Sequence, residues 1–307
     1  MTSIHELTAV RPPRDSCLTV GVFDGVHLGH QHLLRALVKE GVESHLSTGV
    51  ITFQNHPMEV LVPGTLVPSI TTIEKQVALI QELGIDFVIP ITFTSEISKM
   101  KAKEFVLDLQ NNLRMKKLII GPDFALGHRR DGTPEILHDM GEASGFSVIT
   151  VEPFLLDKNA VNSTAIRNAI TKGDIRIATS LLGRLFTLDG KVVNGDGRGG
   201  NLLNHPTANL EVGSNLVIPG DGIYATWAYF QGERYRAATS IGVRPTFGSD
   251  RHTVESFILD YTGNLYGQSM KLEFVEYLRE QVTFQHIKDL KEQIHIDVKQ
   301  IRRLLKN

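Results

Sequence analysis

The sequence predicts two domains of different class: an α/β doubly wound parallel sheet over residues 1–182, then a small antiparallel β-barrel with a C-terminal helix over residues 183–307. Three observations predict this. At 307 residues the chain is too long for one small core. Up to about residue 182, short apolar runs alternate with helix-period segments, the rhythm of a parallel sheet with right-handed crossovers. After Gly183, strand-like runs follow one another across turn residues, with no helix between them.

In the first half, buried strands are expected at 18–23, 49–53, 86–91, 117–121 and 147–152. Helical patterns separate them at 28–40, 73–83, 103–113 and 134–143. Ser163–Thr171 and Ile175–Leu182 read as two closing helices. Ligands of such sheets bind beyond the C-terminal strand ends, near the switch in strand order. In the second half, five strands are expected at 185–193, 223–229, 234–241, 253–259 and 269–277. Turns at Gly195-Asp196-Gly197, Pro219-Gly220-Asp221-Gly222 and Gly232 separate several of them. A final helix at 287–305 places Leu290, Ile294, Val298, Ile301 and Leu305 at near-helical spacing, so it is expected to pack on the barrel.

Composition narrows the function classes. Hydrophobic residues make up 41% and charged residues 21%, ordinary for a soluble protein. The net charge of −2 offers no broad field for nucleic acid or an anionic membrane as the main partner. Cys17 is the one cysteine, so no intrachain disulfide can form, and a reducing cytoplasm is expected. The N-terminus is polar with no signal-peptide core, and no run of about 18 apolar residues is present to span a membrane. Oligomeric state is not written in the sequence.

Chemistry concentrates first at GVFDGVHLGH, residues 21–30, which joins a buried strand to a helix. Gly25 and Gly29 let the backbone approach a ligand, and the helix N-terminus that follows favours phosphate. His30 lies one turn before Leu33 and Leu34 of the apolar face, at the inner rim of the helix start. His32 is turned about 200° away and is expected in solvent. Imidazoles at His27 and His30 can donate to phosphate oxygens as charge develops during phosphoryl or adenylyl transfer. No carboxylate follows in the HExxH arrangement that would favour a metal. A second candidate is GDGRGG at 195–200, where Gly195, Gly197 and Gly199 could cradle phosphates with backbone N–H groups; an ordinary glycine-rich hairpin is the equal alternative.

The first half resembles the adenylyltransferase half of the prokaryotic bifunctional riboflavin kinase/FAD synthetase family. The motifs run in order: GVFDGVHLGHQHLL, ITFQNHP at 51–57, IEK at 73–75, LGIDFVIPITFTSEIS at 83–98, GPDFALGHRRDG at 121–132 and NSTAIR at 162–167. The second half resembles the riboflavin kinase domain through PTAN at 206–209, IPGDGIYA at 218–225, SIGVRPTFG at 240–248, VESFILD at 254–260, LYG at 265–267 and YLR at 277–279.

The resemblance implies that His27 and His30 polarise ATP phosphates held by the loop of Gly21, Phe23, Gly25 and Gly29. It implies that Ser163, Thr164 and Arg167 clamp phosphates, a role that suits hydroxyls and a guanidinium at a helix start. Asp123, Phe124, Gly127 and Arg279 are the implied flavin contacts. Thr207 and Asn209 are implied to hold the ATP phosphates with Mg2+, and Glu255 to take the proton from the riboflavin 5′-hydroxyl. In its strand Glu255 shares a face with Phe257 and Leu259, where a carboxylate is costly unless paired or functional. Glu273 is a rival acid on a neighbouring strand. Arg129 and Arg130 are equally a solvated basic pair.

Two departures stand out. Asn162 occupies a position usually held by serine, and Leu203-Asn204-His205-Pro206 replaces a stretch that is often LGFP. The implied activities are riboflavin to FMN and FMN to FAD, each with ATP, with FMN and FAD as substrate and product. Three other readings stay open here: adenylyltransferase activity alone, a flavin- or nucleotide-binding regulatory protein, and an adenylyltransferase for another acceptor.

Overall fold

The computed structural model describes residues 4–193, 207–243 and 252–306. The chain parts into two compact units, Met1–Ser163 and Thr164–Asn307.

The first unit is a five-stranded parallel sheet of β1 (Ser16–Val20), β2 (Ser47–Phe53), β3 (Phe87–Ile91), β4 (Met115–Ile120) and β5 (Ser147–Thr150), in the order β3-β2-β1-β4-β5. Every residue of β1 is buried, as a central strand covered on both faces requires. Leu18 and Val20 point into one core with Phe105 and Leu109 of α5 (Ala102–Leu113). Cys17 points into the other, with Leu34 and Leu37 of α1 (Leu28–Glu43) and Ile80 of α3 (Ile73–Gln81). Burial pushes the Cys17 thiol up to about 12, with Glu40 adding to the effect, so it is an inert core group. Strand order reverses between β1 and β4, which puts the crevice beyond Val20 and Ile120.

The first expected strand is too long by three residues. β1 stops at Val20 because Phe23 takes a left-handed φ of +49° and Gly25 one of +77°, turning the chain into a 3-10 helix at Asp24–Val26. Among the described residues this unit has three further α-helices. Two short ones, α2 (Pro57–Leu61) and α4 (Ser95–Lys99), were not expected; the third, α6 (Pro134–Ser144), was. A small ribbon pairs β6 (Leu155–Leu156) with β7 (Asn159–Ala160).

The second unit contains α8 (Ile175–Leu182), most of α7 (Ser163–Thr171) and a closed antiparallel barrel. The barrel strands are β8 (Phe186–Val193), β9 (Thr207–Val212), β10 (Gly222–Phe230), β11 (Glu233–Val243), β12 (His252–Ile258) and β13 (Ser269–Arg279), in the order β10-β11-β12-β9-β8-β13. Six strands close where five were expected. The sixth is β9, whose sequence TANLEV alternates polar and apolar as a strand should, a signal hidden under the PTAN motif. The lumen is packed by alternate residues, including Phe186, Leu210, Tyr224, Val254 and Phe274. A hydroxyl chain crosses it from Thr226 to Thr239 (2.7 Å) to Ser256 (3.0 Å), so these buried polar groups are satisfied.

The C-terminal helix α9 (Ile287–Leu304) packs on the barrel as expected. Val298, Ile301 and Leu305 meet Ala225, Trp227, Phe257 and Leu259 on the outer face. Arg236 Nε donates to the Leu305 carbonyl at 2.7 Å, and Arg279 grips Asp297 with Nε and Nη2 at 3.0 and 2.6 Å. The predicted phosphate glycines Gly195, Gly197 and Gly199, together with Asn204 and His205, lie outside the described residues.

Candidate active sites

The run from Gly21 to His30 forms a strap between the C-terminal end of β1 and the start of α1. It is tied from several sides. The Val22 carbonyl accepts from Gln76 Nε2 (2.9 Å) and Thr52 Oγ1 (3.0 Å). Buried Asp24 accepts at Oδ1 from the Ile70 and Thr71 amides (2.8 and 3.4 Å), and Ser163 Oγ donates to its carbonyl at 3.1 Å. Gln31 Nε2 donates to the Val26 carbonyl at 3.0 Å. These ties hold a costly backbone: Phe23 and β-branched Val26 sit at φ +49° and +40°, a conformation costing on the order of 1–3 kcal/mol each. Besides Gly25, a side chain would be crowded at two points of the strap. A Cβ on Gly21 would lie 2.9 Å from the Phe23 ring, and one on Gly29 would lie 3.1 Å from the His27 ring and 3.0 Å from the Val161 carbonyl.

Both histidines come together at the head of α1. Their rings stack at 3.6 Å between centroids, and Phe23 meets His30 edge-on at 5.1 Å. His27 is the N-cap of α1, and its Nδ1 accepts from the His30 amide at 3.3 Å. An accepting Nδ1 leaves the proton of the neutral ring on Nε2. Burial, and secondarily the neighbouring His27, hold His30 well below the usual imidazole range, so it is neutral at physiological pH. Its Nδ1 is buried without a hydrogen-bond partner among the described residues, a cost that a bound ligand can relieve. His32 is exposed, as its helical phase requires.

The other predicted residues of the first site divide. Ser163 directs its hydroxyl at the Asp24 carbonyl, and Thr164 and Arg167 follow on α7. Asp123 and Phe124 lie in the loop after β4, which a bridge between Leu126 and Gly132 closes. Phe124 packs against the core, and Arg130 donates to the Asp123 carbonyl at 3.0 Å. Gly127 has φ +81°, and any Cβ there would collide with the Ala102 amide and the Asp131 carboxylate, so its glycine is a requirement of the loop itself. A small cleft of about 30 Å³ beside the strap is lined by Asp24, Asn55, His56, Thr71 and Gln76; the first three lie within the sequence motifs, but none was assigned a role from sequence.

In the barrel, register assembles the second site. Glu255 of β12 pairs with Asn209 of β9, and Phe257 pairs with Thr207. Ala208 and Leu210 fill the lumen, as do Val254 and Ser256, so Thr207, Asn209 and Glu255 share the outer face. Ser240 of β11 pairs with Glu255 from the other side and accepts from Gln281 Nε2 at 2.8 Å, which extends the polar row. The rival Glu273 is engaged at both oxygens, by Tyr229 Oη and Lys271 Nζ at 2.8 Å each. Arg279 is held in the fork with Asp297. No group of three or more His, Cys, Asp or Glu side chains forms a metal site among the described residues.

Comparison with known proteins finds two family models in tandem on this chain. The FAD synthetase model matches residues 10–165 and the riboflavin kinase model residues 182–305. The chain belongs to the bifunctional riboflavin kinase/FMN adenylyltransferase family. Its relatives in that family match along almost their whole length. The riboflavin kinase/FMN adenylyltransferase of Escherichia coli strain K12 is 33% identical, covering 96% of this chain and 94% of the relative. That of Pseudomonas fluorescens is 34% identical, covering 99% and 98%. A crystal structure described as a macrolide-efflux protein from Streptococcus pneumoniae superimposes with a TM-score of 0.90 at 28% identity, covering 98% of each chain. No helix among the described residues of this riboflavin kinase/FMN adenylyltransferase family member is long and apolar enough to cross a membrane.

Proposed function

We propose that the chain makes FAD in two steps, phosphorylating riboflavin to FMN in the barrel and adenylylating FMN in the parallel-sheet domain. The tandem match of FAD synthetase and riboflavin kinase models, in one chain with both residue clusters retained, carries this reading. The functional boundary falls at 182/183, so that α7, with Thr164 and Arg167, serves the adenylyl step although it falls largely in the second compact unit.

In the adenylyl step an FMN phosphate oxygen bonds to the α-phosphorus of ATP while the bond to the β-phosphate breaks and pyrophosphate leaves. No covalent enzyme intermediate is needed, so the residues act by positioning and by meeting developing charge. His27 donates from Nε2 to a phosphate oxygen, and neutral His30 donates beside it. A ring held neutral by burial gains most from a nearby anion, which favours its protonated form as charge builds. Arg167 and Thr164 clamp the phosphates, and the strap of Gly21, Phe23, Gly25 and Gly29 brings backbone close to them. Asp123, Phe124 and Gly127 border the flavin.

In the kinase step the riboflavin 5′-hydroxyl oxygen bonds to the γ-phosphorus, ADP leaves, and Glu255 takes the hydroxyl proton. Thr207 and Asn209, hydroxyl and amide oxygens on the same face as Glu255, are a donor set that suits a hard cation. Mg2+ bound there with the nucleotide would draw charge from its phosphates. Arg279, fixed by Asp297, borders the flavin. The working compartment is the cytoplasm, and the partners are ATP, riboflavin and FMN, without nucleic acid or membrane.

The test is direct. Purified protein is given Mg-ATP with riboflavin or with FMN, and the flavins are separated by chromatography. The expected products are FMN and then FAD from riboflavin, and FAD from FMN. Absence of FAD from FMN sinks the adenylyl half; absence of FMN from riboflavin sinks the kinase half.

A further inference from the structure

We infer that Asp24 is a positioning residue for adenylyl transfer, holding the strained strap that sets His27 and His30. This rests on the adenylyltransferase reading above and deepens it. Asp24 joins three segments distant in sequence. Its side chain accepts from the amides of Ile70 and Thr71, and its own carbonyl accepts from Ser163. It sits between Phe23 and Gly25, and three of the four residues from Phe23 to Val26 have positive φ. Gly25 is pressed against Ile70, where a Cβ would approach the side chain to 3.0 Å. The N-cap His27 begins α1 immediately after these residues.

A strained backbone persists only where its surroundings over-determine it. Among the described residues, the Asp24 side chain supplies the ties to segment 70–71, and its backbone supplies the tie to the start of α7. Asp24 therefore acts through the histidines, by fixing where the two stacked rings stand before any phosphate arrives. What matters for the tie to segment 70–71 is an acceptor oxygen at Oδ1, since Ile70 and Thr71 reach it with backbone N–H donors. Asparagine supplies that oxygen and alanine does not. Ser163 works on the same residue from its other side, spending its only proton on the Asp24 carbonyl.

The test uses the full-length enzyme with FMN and Mg-ATP, and with riboflavin phosphorylation as a control in the same molecule. Asp24→Ala is expected to lower kcat for FAD formation at least about tenfold while KM for ATP stays within about threefold, the pattern of an interaction felt in the transition state. Asp24→Asn restores most of the kcat, and riboflavin phosphorylation is unchanged in both. Should Asp24→Ala not fold, Ser163→Ala carries the test: it lowers kcat, whereas a phosphate-clamp role raises KM for ATP. The inference is overturned if Asp24→Ala keeps kcat, if KM alone rises, or if Asp24→Asn is as impaired as Asp24→Ala. A wild-type enzyme that makes no FAD from FMN overturns instead the reading on which the inference rests.

Discussion

Asn209 and Glu255 stand opposite each other across the β9–β12 ladder, 46 residues apart in sequence but neighbours on one outer face of the barrel. The pairing couples the amide proposed to hold the nucleotide's cation to the carboxylate proposed to accept the substrate proton. Glu255→Gln removes the base and preserves shape. It is expected to slow FMN formation by roughly 10²–10⁴-fold while FAD formation from supplied FMN stays within about twofold. Steady-state rates for the two flavins, measured on the same preparation, check this.

His27 and His30 form the corresponding pair in the first site. His30→Asn is expected to lower kcat for FAD formation by roughly 10²–10³-fold, the loss typical of one donor aimed at developing charge. Riboflavin phosphorylation is the internal control and is expected to hold. A rise in KM for ATP with unchanged kcat would instead assign His30 to ground-state binding.

Burial of His30 also makes a stability prediction. Its folded-state pKa is depressed below 6.5, so at acid pH the unfolded chain binds a proton that the folded chain refuses. The contribution is complete above 6.5 and is lost as pH falls toward the folded value, at up to about 1.4 kcal/mol per pH unit. Glu6 and Glu40, whose carboxyls are lowered from 4.5, do not titrate between pH 6.5 and 5. Melting temperature of the first unit should therefore fall over that window in wild type, and less steeply in His30→Asn. Parallel slopes would contradict the neutral, buried His30.

The fork between Arg279 and Asp297 ties β13 to α9, and Asp297 is 5% exposed. Asp297→Ala leaves the guanidinium without its anion and is expected to destabilise the barrel unit by about 2–4 kcal/mol. Trp227, the one tryptophan, lies in the apolar cluster under α9, so urea unfolding followed by its fluorescence reads this contact. An unchanged midpoint would show that apolar packing alone seats the helix.

Much of this was legible in the sequence because it is local. The βα alternation, the apolar face of α1 and the outward turn of His32 follow from periodicity over a few residues. The strand overshoot at 18–23 arose because apolar Val22 and Phe23 continue the pattern of β1, while the left-handed turn at Phe23 is imposed by tertiary ties. Asp24 shows why the rest was hidden. Its partners lie 46 and 139 residues away, and no spacing rule reports a hydrogen bond that only the folded sheet creates. Likewise, the placing of Glu255 beside Asn209 depends on strand register, which the ladder reveals and the PTAN motif does not.

The central claim, two separate catalytic sites working in sequence on one chain, is tested most directly by complementation. Glu255→Gln and His30→Asn enzymes are each given riboflavin and Mg-ATP, alone and mixed, and the flavins are separated. The account predicts almost no FMN or FAD from Glu255→Gln, FMN without FAD from His30→Asn, and FAD from the mixture. A mixture that stops at FMN, or a Glu255→Gln enzyme that fails to convert supplied FMN, would contradict it.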